Sequence, residues 1–147
     1  MSKSSRKSRP QRFKDPGKAT ATPESATDFD LWLAEAYETE GAFTALVILL
    51  RIGGLEVTPI ASTFLNFIGA EARWAEVAAL FAGSGQAWDG VALFPVFDAD
   101  GPLENGEARA RLRAIEARVR EDRLTLNEGE FFDTWGRRLQ IEAVTAN

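Results

Sequence analysis

The chain has 147 residues, 45% of them hydrophobic and 27% charged, with neither Cys nor His. That size and apolar content fit one globular unit with room for a tail, and exclude a wholly disordered chain. The missing His and Cys remove disulfides, thiol nucleophiles, most metal ligands and the side chain best matched to proton transfer near neutral pH.

The net charge of −5 conceals two opposite regions. Residues 1–27 carry seven bases against two acids, a net +5, and residues 28–147 carry ten arginines against twenty acids, a net −10. All four lysines lie in the first 18 residues. Apart from Met1, Phe13 is the only large apolar residue of this first segment, so it cannot bury enough surface to offset the entropy of ordering. It is expected to be a basic tail. Without an apolar h-region or a recurring apolar face it reads neither as a secretory signal nor as a membrane anchor. Its bases Lys3, Arg6, Lys7, Arg9, Arg12 and Lys14 are of the type that neutralises nucleic-acid phosphates.

Asp28 to Glu40 predicts a helix. Thr27 or Asp28 can cap it, and Phe29, Trp32, Leu33, Ala36 and Tyr37 form one apolar stripe, with Asp30, Glu35 and Glu38 off it. Thr44 to Ile52 is apolar under either period. Val47 and Ile48 favour a strand, but Leu46, Leu49, Leu50 and the Gly53-Gly54 stop favour a buried helix, and a helix is expected. Thr58-Pro59 looks like a cap and a first-turn proline, leading a helix with Ile60, Phe64, Phe67 and Ile68 on one face and ending at Gly69. Within Gly41–Ala70 the longest uncharged piece, Val57–Ala70, has 14 residues, short of the ~20 a spanning helix needs.

Ala70 to Ala82 predicts a further helix, broken by Gly83-Ser84-Gly85. That glycine pair resembles the start of a dinucleotide loop, but Trp88 stands where the third glycine belongs, and the loop follows a helix instead of a strand. Val91 to Phe97 predicts a strand, with Pro95 expected at an edge or a bulge. Asp98-Ala99-Asp100 is read as a turn, since a calcium loop would need Gly at Leu103 and an acid at Arg109. Leu103 to Arg123 predicts a long helix with Ala108, Leu112, Ile115 and Val119 inward, and with Glu107–Arg111 and Glu116–Arg120 as i,i+4 pairs. Its acids nearly balance Arg109, Arg113 and Arg120, which reads as a solvated face. Glu130 to Val144 predicts a β-hairpin, with Asp133–Arg137 as its turn and Leu139, Ile141 and Ala143 alternating on the last strand.

These elements predict an α+β fold. Residues 28–147 are expected to form one helix-rich domain on a small, mainly antiparallel sheet with a C-terminal β-hairpin, preceded by a tail over residues 1–27. The expected function is that of a non-catalytic cytoplasmic protein-binding or regulatory protein whose partner is another protein. Trp32 and Trp88 are the candidate contacts on an acidic, aromatic-bearing surface. The alternative is a nucleic-acid accessory protein using the tail. A third reading is a small enzyme whose carboxylates, among Asp98, Asp100, Glu128, Glu130 and Asp133, divide proton roles. Catalysis is disfavoured, because Ser62 and Ser84 have no histidine to act as base. No cofactor, metal or membrane span is expected.

Overall fold

A computed structural model of the chain describes residues 26–141. The basic residues Lys3 to Lys14 of the expected tail lie outside them. The fold is α+β: a four-stranded antiparallel sheet between two helical layers.

Chain order is α1 (Asp28–Glu40), β1 (Phe43–Gly53), β2 (Glu56–Phe67), α2 (Trp74–Ala82), β3 (Gly90–Val96), α3 (Asn105–Glu121), a 3-10 turn (Arg123–Glu128) and β4 (Glu130–Asp133). The strands lie in the order β2-β1-β3-β4. β1 and β2 form a hairpin in which Gly53 opposes Glu56, and Gly54 takes φ +59° in the two-residue loop.

Thr44–Ile52 is therefore strand, not the expected helix. β1 occupies the centre of the sheet with helices over both faces, so every residue from Phe43 to Leu50 is buried. Phe43, Ala45, Val47 and Leu49 pack with Phe29 and Leu33 of α1 and with Trp74, Val77 and Phe81 of α2. Leu46, Ile48 and Leu50 pack on the other side with Ile115 and Val119 of α3. A strand buried on both faces has no polar alternation to betray it.

The helix expected over Pro59–Gly69 is also a strand, β2. Leu49 opposes Ala61 and Leu50 opposes Pro59, so Ile60 is the extra residue of a bulge. Proline is tolerated there because a bulge on an outer strand needs no N–H from it. Pro95 is a milder case. β3 is an inner strand, but β4 pairs only with Gly90–Leu93, so Pro95 stands beyond that ladder.

The predicted helices at Asp28–Glu40, Ala70–Ala82 and Leu103–Arg123 are present, the second and third with trimmed ends. Glu107 and Arg111 pair at 2.9 Å as expected. Glu116 instead accepts a hydrogen bond from Ser62 Oγ on β2. The C-terminal hairpin is reduced. β4 turns back through Asp133–Arg137, and the return consists of a Phe132–Arg138 bridge and a Leu139 N–H donated to Phe131 O. Asn127 then takes over the ladder's role: its side chain accepts from Ile141 N–H at 2.9 Å and donates to Ile141 O at 2.6 Å. Leu139 and Ile141 spend their alternating pattern on packing beneath the α3 side. Glu142 to Val144 lie outside the described residues.

Candidate partner-binding surface

The start of α1, the start of α2 and the turn after β4 meet at one corner. Thr27 Oγ1 accepts from Asp30 N–H at 3.0 Å, and Asp30 Oδ2 accepts from Thr27 N–H at 3.1 Å, a reciprocal cap. The other oxygen of Asp30 accepts from Trp74 N–H at 2.8 Å, so a carboxylate only 7% exposed joins the two helix starts. Trp74 Nε1 donates to Thr134 O at 2.9 Å, and Phe29 N–H donates to Gly136 O at 3.1 Å. Gly136 takes φ +79°, and a Cβ there would come within 2.8 Å of the Trp74 ring and 3.0 Å of Thr27. Only glycine fits this crossing.

That corner holds the turn rigid. Asp133 Oδ1 accepts from Trp135 N–H at 2.8 Å and from Arg137 N–H at 3.0 Å. Asp133 N–H donates to Arg137 O at 2.8 Å, and Arg137 Nε pairs with Asp133 Oδ2 at 3.0 Å. At the tip Trp135 is 68% exposed, with the Arg137 guanidinium 5.1 Å from its ring centre. Arg138 N–H, the next residue, donates to Asp28 Oδ2 at 2.9 Å. Beside the turn, Asp28, Leu31, Glu35 and Glu38 recur on the exposed side of α1, and α1 carries five acids and no base. By contrast α3 carries five arginines against three glutamates. The acidity of the fold is thus concentrated around α1.

Trp32 and Trp88 are partly buried. Trp32 lies 5.8 Å from Phe29, 5.9 Å from Phe43 and 6.1 Å from Phe132, between ring centres. Trp88 lies 6.2 Å from Trp74 and 5.7 Å from Phe81. Both form the packed flank of the aromatic core. Trp135 was legible only as a residue of the predicted Asp133–Arg137 turn. A large aromatic in a tight turn is the signal that marks it, because a turn tip has little core to offer.

The carboxylates named for an enzyme reading do not converge. Glu128 pairs with Arg118 at 2.8 Å, Glu130 with Arg138 and Asp133 with Arg137. Asp98 caps its own turn, accepting from Asp100 N–H at 3.0 Å. Among the described residues no group of three or more acidic side chains is placed to hold a metal ion, and no helix is long and apolar enough to cross a membrane. The chain matches no protein-family model, no curated protein and no solved structure.

Proposed function

We propose that the protein is a non-catalytic protein-binding module that docks its partner on Trp135 and the acidic face of α1. The observation that carries this reading is the exposure of Trp135 on a turn in which Asp133 accepts the backbone N–H groups of residues 135, 136 and 137. An exposed tryptophan on a turn whose backbone is already held loses less entropy on binding, and tryptophan is enriched among the residues that carry binding energy in interfaces. The acids of α1 favour a partner that brings Lys or Arg beside an apolar recess for the ring, and they accelerate its approach. Trp32 and Trp88 support this surface from the core side. A cytoplasmic location is part of the same proposal.

Affinity capture with the full chain tests it, run in parallel with Trp135→Ala. Removal of a central tryptophan anchor is expected to weaken capture at least about 30-fold, the scale of a ~2 kcal/mol hot spot. A Glu35→Lys/Glu38→Lys variant is expected to slow association, most at low salt. Equal recovery of the same proteins by wild type and Trp135→Ala overturns the reading.

A further inference from the structure

The two edges of the sheet are finished differently. β4 is covered by the returning chain at Arg138 and Leu139. β2 pairs with β1 on one side and has no strand on the other among the described residues. It is 12 residues long, and from Val57 to Phe67 it carries no charge. Natural outer strands normally carry charges, above all lysine, because an open row of N–H and C=O groups pairs with any strand that reaches it. Here only Pro59 and the adjacent bulge interrupt the row, and Ala61–Phe67 runs on without either.

Clefts flank this edge on both faces. One, about 350 Å³, lies against α3 and is lined by Pro59, Ile60, Ser62, Glu116 and Arg120. The other, about 420 Å³, lies against α2, with Leu65, Ile68 and Leu80 on its walls. Ile68 and Leu80 are 64% and 57% exposed.

We propose that the occupant of this edge is a second copy of the chain, joined β2 to β2 in antiparallel register about a two-fold axis through Phe64, to give a continuous eight-stranded sheet. An antiparallel strand is complementary to itself under a two-fold axis, so no other sequence is required to satisfy its hydrogen bonds. The axis at Phe64 sets Phe64 opposite itself, Ala61 opposite Phe67, Ser62 opposite Asn66 and Thr63 opposite Leu65. Three of these four pairings join like with like, aromatic to aromatic, apolar to apolar and polar to polar, which favours this register over its neighbours.

The charges of α3 agree with the same axis. Ser62 bonds Glu116 and Arg123 donates to Val57 O, so α3 runs antiparallel to β2; the step of about 7 Å from Ser62 to Phe64 matches about four residues of helix rise back from Glu116, which brings the axis near Leu112 and Arg113. The α3 helices of two copies then lie side by side, and Glu116 of each faces Arg109 of the other. Glu116 and Arg109 are seven residues apart, two turns along one helix face. The extent is also sufficient. A ladder of seven residues is about 24 Å long, and with a helix layer roughly 10 Å away on each face it buries about 700 Å² per copy. Standard stable interfaces bury about 800 Å² per partner. This surface is separate from Trp135, so its failure would leave the proposed function standing.

Sedimentation equilibrium of the full chain, from about 1 to 100 μM, reads the outcome directly. The expected mass is twice the 16.1 kDa of one chain. Thr63 is exposed, and Thr63→Lys is expected to return the protein to monomer with its circular dichroism unchanged. Glu116→Arg is expected to weaken the dimer about tenfold by opposing Arg109, and the double variant Glu116→Arg/Arg109→Glu to restore it. That reciprocal rescue is independent of whether Thr63→Lys folds. In the wild type, amide exchange at Ala61–Phe67 is expected to slow as concentration rises. A monomer at every concentration overturns the proposal, as does a dimer that survives Thr63→Lys or fails to respond to the charge exchange.

Discussion

The two faces of the sheet solve the same packing problem with different materials. On the α1 and α2 face the core is rich in aromatic rings. The fully buried Phe29 ring lies 5.2 Å from Trp74 and 5.6 Å from Phe132, and its helix is fixed by the buried Asp30 carboxylate and by Gly136. On the α3 face the core is mostly aliphatic, with Ile115, Val119 and Leu126 against Leu46, Ile48 and Leu50. Its helix is tied at the end by Arg123, which donates to Val57 O and Val119 O at 2.6 Å each. The first face brings two helices and the turn after β4 to one corner, whereas the second packs one long helix and the 3-10 turn after it, with Leu139 and Ile141 at its margin. Large aromatic groups and buried polar joints tolerate less change than aliphatic packing with partly exposed ties. The first face should therefore be the more sensitive one.

The largest effect is expected at Phe29. Phe29→Ala leaves a cavity among four aromatic rings and should cost about 3–5 kcal/mol. Ile115→Ala, at the rim of the α3 face and 8% exposed, should cost about 2–3 kcal/mol. Guanidinium unfolding of both variants measures the difference, and equal losses would erase the contrast between the faces.

Asp30 sharpens the comparison, because it removes a polar joint and leaves the packing intact. Asp30→Ala deprives the backbone N–H groups of Thr27 and Trp74 of their acceptors and should cost about 2–3 kcal/mol. Asp30→Asn keeps one acceptor oxygen and should lose about half as much. Thermal and denaturant midpoints of the pair report this. A loss in Asp30→Ala no larger than about 0.5 kcal/mol would mean that the joint contributes nothing beyond a surface residue.

The sequence discloses these two faces unequally. α1, α2 and α3 each bury one side, so a 3.6-residue period survives in their apolar residues and all three are legible. β1 is hidden by the opposite situation: with helices above and below, Leu46 and Val47 are both buried, and no period remains. β2 is hidden by imitation. Thr58-Pro59 resembles a helix start, and the bulge at Ile60 shifts the strand's alternation by one residue. Asp30 looked like a solvent-facing residue because its helical position is off the apolar stripe. Its burial depends on Trp74, 44 residues away, which no local pattern encodes. Of the candidate surface, the turn around Gly136 was legible, but the exposure of Trp135 depends on how the chain returns past α1.

Thr44 brings the α3 face its own buried polar joint. Its hydroxyl donates to Asn66 Oδ1 at 2.7 Å and accepts from Leu103 N–H at 2.8 Å. Thr44→Val keeps the shape, strands the Leu103 N–H and should cost about 1–2 kcal/mol, while Thr44→Ser should recover most of that. Equal stability of the Val and Ser variants in urea would show that packing alone holds this position.

The smallest change in stability is expected where the proposed function predicts the largest change in binding. Trp135 rests on no core cluster, and its ring touches the rest of the fold chiefly through the exposed Arg137. An exposed cation–π contact is worth about 0.5–1 kcal/mol at most. Trp135→Ala should therefore unfold within about 1 kcal/mol of wild type. Its turn should persist, because Asp133 bonds the backbone of residue 135 and not its side chain. Fluorescence separates the four tryptophans. Trp74 is buried, Trp32 and Trp88 are partly buried, and Trp135 is exposed. Loss of Trp135 should shift the emission to shorter wavelength and remove most of the acrylamide-quenchable fraction. A large loss of stability would instead make the ring a structural strut of the corner. The preorganised contact surface would then lose its anchor, and the sensitivity of the α1 and α2 face would extend to its outermost residue.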